Sequence, residues 1–246
     1  MNLNALAKKA AKGPVPAGYG GAMNVEDMIR FTLFHGSAAA DEIERLQRQH
    51  QWVMGGLLPD GGRVAPFGRW AIACVAYGRE GIDGLLPLLQ DPDMASFAVG
   101  LLKEVPSAES VRALIEFCTT ARFSASERDH PDWVEWEVVF AMNALLSFDD
   151  SVQVDDSTLA RWQLILEKAF EAAPTPSLKQ VVLLAARGVS SERGLMWIQN
   201  LQCKDEDLKD VQKLVIKVIR KRLQPGFRPP GVDQKRQLRK ERALDV

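Results

Sequence analysis

The residue types best suited to chemistry crowd into one stretch, His130-Pro131-Asp132-Trp133-Val134-Glu135-Trp136-Glu137. On a helix, positions three and four apart are neighbours, so Trp133, Trp136 and Glu137 share a face. Such a face can grip a cationic partner: indole supplies desolvating contact area and carboxylates set the sign of the charge. A structural reading competes. Two tryptophans can anchor a core at a helix start, and Asp132, Glu135 and Glu137 suit the positive end of a helix. A second acidic group, Asp149-Asp150 and Asp155-Asp156, brackets Val152. A calcium loop needs more oxygen ligands at alternating positions and a glycine, which Ser151 and Gln153 do not provide. These four aspartates read as solvated loop acids and, in the binding reading, as part of the docking surface.

Other chemistries find little support. His35, His50 and His130 are isolated, and the nearest mixed pair, Cys118 and His130, is twelve residues apart. That is not zinc spacing. Gly18-Tyr19-Gly20-Gly21 is glycine-rich but lacks the lysine and the preceding strand of a phosphate loop. No nucleophile–base pair can be nominated, and no cofactor or metal is expected.

The 246 residues carry a net charge of −1, but the distribution is polarised. Residues 127–156 hold nine acids (Glu127, Asp129, Asp132, Glu135, Glu137, Asp149, Asp150, Asp155, Asp156) against one base, Arg128. Basic residues gather at Lys8, Lys9 and Lys12 and again from 204 onward. Phosphate contacts need clustered Lys and Arg, so an acidic middle disfavours nucleic acid, except through the basic C-terminal tail. It suits a basic protein partner. The three cysteines, Cys74, Cys118 and Cys203, are odd in number and far apart, which fits a reducing compartment. No window approaches 18 uninterrupted apolar residues, so no membrane span is expected. The N-terminal lysines lead into glycine and proline rather than an apolar run, unlike a secretory signal. A cytoplasmic protein is expected.

The elements that must position these residues are helices. Residues 1–22 read as a short helix and a Pro/Gly-rich arm, 23–223 as the helical domain, and 224–246 as a basic tail. Asn24 opens a helix that Gly36 stops, and Ser37 starts the next, which runs to the turn Pro59-Asp60-Gly61-Gly62. Pro66 begins a buried helix to Gly78. Further helices are expected at 81–90, 93–104, 107–122, 131–149, 156–173, 176–188, 190–202 and 206–223. Only Val152-Gln153-Val154 alternates at period two, and it is too short for a strand. The chain is expected to be all-α, with about ten helices joined by short loops.

Residues 81–104 resemble a HEAT-like repeat. Leu85, Leu88 and Leu89 match the inner face of its first helix, Asp91-Pro92-Asp93 its turn, and Ala98, Val99, Leu101 and Leu102 its second helix. Ser110–Phe117 is similar to the opening helix of a following unit. The usual Val-Arg of the second helix is replaced by Ala95-Ser96-Phe97. The resemblance implies a right-handed α-solenoid, a stack of hairpins offering a long surface to a macromolecule. It is compatible with a non-enzymatic adaptor or a toxin-neutralising immunity protein. It also reaches alkylpurine DNA glycosylases, which use tryptophans and an aspartate in a basic groove, as Trp133, Trp136 and Asp132 superficially do. The net charge of −8 over residues 127–156 would repel DNA. Related repeats occur in bilin lyases, but no residue here supports a chromophore site. A compact irregular helical bundle remains the competing architecture.

Overall fold

The computed structural model describes residues 20–50, 66–148, 152–189 and 191–227. Among them stand eleven α-helices, three short 3-10 turns and no β-strand. The arm is outside the described residues except for Gly20–Ala22, which already belong to the first helix. The turn at 59–62, Asp149, Asp150 and the tail from 228 are also outside. The described residues form two compact units, one ending at Leu101 and the other beginning at Leu102.

In the first unit, α1 (Gly20–His35), α2 (Ser37–His50) and α3 (Pro66–Glu80) pack against one another. Met28, Ala39, Ala40, Ile43, Ala71 and Cys74 form their shared core. Each large apolar side chain removed from water contributes about 1.5–3 kcal/mol. Arg79 of α3 meets Glu44 of α2 at 2.7 Å. The first helix of the HEAT-like stretch is short: a 3-10 turn, Asp83–Leu85, runs into a single α-turn, α4 (Leu86–Leu89). The expected turn does form, with Asp91 Oδ1 accepting from Asp93 N at 2.9 Å. Then α5 (Ala95–Glu104) begins. Gly100 lies against Trp70, and a Cβ there would come within 2.4 Å of Trp70 Cη2. Trp70 in turn meets the Phe97 ring edge-on at 5.4 Å.

The second unit contains α6 (Ala108–Phe117), α7 (Val134–Phe148), α8 (Asp156–Ala172), α9 (Pro176–Ala186), α10 (Glu192–Asn200) and α11 (Glu206–Arg222). Five of these six helices start on a side-chain cap that satisfies an otherwise orphaned N–H. Ser107 accepts from Ser110 N at 3.1 Å, Asp155 from Thr158 N at 2.8 Å and Thr175 from Leu178 N at 3.3 Å. Ser191 accepts from Gly194 N and Asp205 from Leu208 N, both at 3.0 Å.

Helices pair as α6 with α7, α8 with α9, and α10 with α11. Beyond the pairs, α7 packs on α9 and α9 on α11, while α6 packs on α8. Arg193 on α10 reaches Glu167 on α8 at 4.0 Å, and Ser191 donates to Gln163 at 3.3 Å. Direction follows from two arginines. Arg187, just after α9, donates to Asn143 Oδ1 on α7 at 3.2 Å. Arg222, ending α11, donates to the Leu146 and Ser147 carbonyls at 2.8 and 3.2 Å. The C-terminal ends of α7, α9 and α11 therefore lie together, and the three helices run parallel. Burial makes both guanidiniums less basic than usual, and for Arg222 the charge of Arg187 adds to the effect.

Candidate partner-binding site

The stretch around residue 130 is built differently from its linear reading. Helix α6 ends at Phe117, a 3-10 turn follows at Cys118–Thr120, and residues 121–126 then run without turn or bend. In that segment Ala121, Phe123 and Ala125 are buried while Arg122, Ser124 and Ser126 are exposed. Burial therefore alternates along an irregular connection, not along a helix. The expectation of helix to residue 122 is thus corrected, and so is the view that only Val152–Val154 alternates. The six-residue alternation was there to be read.

Three hydrogen bonds hold the segment on the start of α7. Glu135 accepts from Arg122 N at 2.9 Å and from Phe123 N, and Trp136 Nε1 donates to Ala125 O at 2.8 Å. Phe123 has a left-handed backbone, φ +56°, which costs a bulky residue about 1–2 kcal/mol. Its fully buried ring, 5.1 Å from that of Trp136, offsets the strain. Trp136 is itself wholly buried. The structure therefore places Trp136 in the core and occupies Glu135 in holding a loop. Neither is an open contact for a partner, and Trp136 offers no exposed indole to a DNA base.

The other proposed residues divide in two. Pro131–Trp133 form a 3-10 turn, not α-helix, with Asp132 N donating to His130 Nδ1 at 3.1 Å. Asp132, Trp133 and Glu137 are half-buried, and Glu127 and Asp129 are exposed just before them. Asp155 and Asp156 lie elsewhere. They start α8, whose Gln163 neighbours Ser191 beyond the end of α9. Between them and Asp132 runs the whole of α7, 15 residues and so about 22 Å. The described acids among the nine are not one surface. Asp155 is committed as a cap: both its oxygens accept from Thr158, and Oδ1 also accepts from Ser157. Those bonds hold its carboxyl well below the usual carboxylate range.

Parallel helices add acids that linear spacing had not joined. Glu206 and Asp207, exposed in the first turn of α11, lie at the same end of the row as Asp132. Two interhelix spacings, about 20 Å, separate them. Among the described residues no cluster of three His, Cys, Asp or Glu could hold a metal ion. No described helix is long and apolar enough to cross a membrane. All three cysteines are buried. Burial pushes the Cys74 thiol up to about 12 and also raises Cys118, beside which the Glu135 charge acts in the same direction.

Fold and site together define an architecture that is all-helical among the described residues and whose second unit carries an acid-bordered connection hydrogen-bonded to the start of α7. The chain matches no protein-family model, no curated protein and no solved structure.

Proposed function

We propose that this chain is a non-enzymatic helical-repeat module that docks a basic protein partner on an acidic end, in the manner of an adaptor or a toxin-neutralising immunity protein. The pairing of helices in the second unit supports a HEAT-like stack. One row is α6 followed by α8, the other is α7, α9 and α11 in parallel, and successive hairpins supply one helix to each. Burial repeats along with it. Counted from their caps, α6, α8 and α10 bury the same two positions, Ser110 and Leu114, Thr158 and Trp162, Gly194 and Ile198; the position between them is buried in Val111 and Leu195 and half-buried in Leu159. Equivalent positions facing a shared seam are what stacked repeats require.

One observation carries the docking reading. Glu127 and Asp129 stand exposed with no cation within ion-pair distance among the described residues, beside the half-buried Asp132 and Trp133. Acids left unpaired on the surface favour a cationic partner and repel polyanions. The buried thiols fit a reducing cytoplasm.

The test is capture from cell extract by the full chain at low salt, against a Glu127→Lys, Asp129→Lys, Asp132→Lys variant. Glu135 is left intact because it holds the loop. A basic protein retained by the parent and lost by the variant supports the proposal. A captured set that is the same for both rejects it.

A further inference from the structure

The last helix carries a stripe that its packing within the second unit leaves open. Asp207, Val211, Leu214, Val218 and Lys221 follow one another along α11 at spacings of four and three. Such spacing keeps side chains on one face, the seam by which two helices pair. The helix packs on α9 and α10 through other residues. Leu208, Val215 and Ile219 are buried, and Gln212 donates to the Ile198 and Leu201 carbonyls at the end of α10, at 2.6 and 2.9 Å. Leu214, two residues further on, lies across the helix from Gln212 and is 48% exposed. Val211 and Val218 beside it are half-buried. One exposed leucine is ordinary on a protein surface. The charges flanking this one are not. Asp207 and Lys221 stand seven residues either side of it, and both are exposed. Neither has a partner of opposite charge among the described residues, whereas Glu206 and Asp210 on the same helix are paired with Lys209 and Lys213.

We infer that this stripe is an interface with a second copy of the chain, whose α11 lies against it running the opposite way. The stripe is its own complement when read backwards: acid, valine, leucine, valine, base. Pairing about a two-fold axis at Leu214 sets that leucine against its equivalent, and Asp207 of each copy against Lys221 of the other. The charged ends are 14 residues apart, about 21 Å, so two ion pairs flank one apolar centre. Parallel pairing would oppose acid to acid and base to base, so the charges choose the direction. A partner of unrelated sequence would have to match acid, apolar centre and base at this spacing. A second copy matches them by symmetry. The stripe uses neither Glu127 nor Asp129, so the dimer stands apart from the acidic end.

Sedimentation of the full chain over a range of concentrations reads the association directly, and a dimer is expected. Asp207→Lys and Lys221→Asp should each weaken it roughly tenfold or more, since two ion pairs become two repulsions. Mixed in equal amounts, the two variants should associate like the parent, because each supplies the sign the other has lost. Leu214→Arg should abolish association and leave a cooperative melting transition. Leu214→Cys should join two copies through a short thiol cross-linker, the native cysteines being buried. Met196→Cys, at a site 61% exposed on α10, should not. A chain that stays monomeric at every concentration overturns the proposal, whether the tail beyond residue 227 or another protein covers the stripe. A dimer indifferent to both charge reversals and to Leu214→Arg overturns the stripe as its interface. Losses in the single variants that the mixture does not restore overturn the antiparallel register.

Discussion

Replacing Glu135 by alanine tests the central construction of the site. The carboxylate accepts from two backbone donors thirteen and twelve residues away, Arg122 N and Phe123 N. Arg122 is exposed, so water replaces the lost acceptor at little cost. Phe123 is fully buried, and its N–H loses a charged partner worth about 1.5–3 kcal/mol. The segment could escape the penalty by detaching, which would also release about 1–2 kcal/mol of left-handed strain. Detachment would expose the Phe123 ring, however, at about 3 kcal/mol or more. Burial wins, so the loop should stay in place with an orphaned donor. Urea denaturation should show about 2 kcal/mol lost with an unchanged slope, and amide exchange at Phe123 should quicken. Glu135→Gln, which keeps one acceptor oxygen, should lose about half as much. A loss below about 0.5 kcal/mol, with Phe123 exchange unchanged, would refute the holding role.

Gly100→Ala should destabilise the protein by about 1–3 kcal/mol in thermal or urea melts, because its Cβ would strike the Trp70 indole at 2.4 Å. Asp155 has a depressed carboxyl in the folded state, so its contribution is present above the unfolded value near 4 and fades as pH falls below it. Asp155→Asn, an effective cap without the titration, should therefore reduce the loss of melting temperature on acidification between about pH 5 and 3. At pH 8 Cys74, raised to about 12, and Cys118 should resist a thiol reagent in the native protein and react fully in denaturant. Rapid native labelling of either would contradict the buried placement.

Local signals were legible. The stop at Gly36 and the restarts at Pro66 and Pro176 put helix boundaries close to where they occur, because each acts within one turn of chain. What escaped reading depends on contacts distant in sequence. Helix α7 is apolar nearly all round, with Val134, Trp136, Val138, Val139, Phe140 and Met142, so spacing alone could not decide which tryptophan turns inward. Its acids look alike in sequence. Only the folded connection shows that Glu135 is spent on main-chain donors while Glu127 and Asp129 are left to solvent. The separation of Asp132 from Asp155 follows from the direction of α7, to which adjacency in sequence is blind. Ala121–Ser126 did carry a period-two signal, but six residues directly after a helix read as its continuation.

The shared direction of α7, α9 and α11 brings an electrical burden. Every peptide unit in the three rods points its carbonyl towards one common pole, so along this row partial negative charge gathers at one end. Arg187 and Arg222 sit at that pole, their guanidiniums against the terminal carbonyls and the Phe148 and Phe227 rings. They act as built-in counterions, so losing one would leave mutually repelling rod ends and let the row splay from that side.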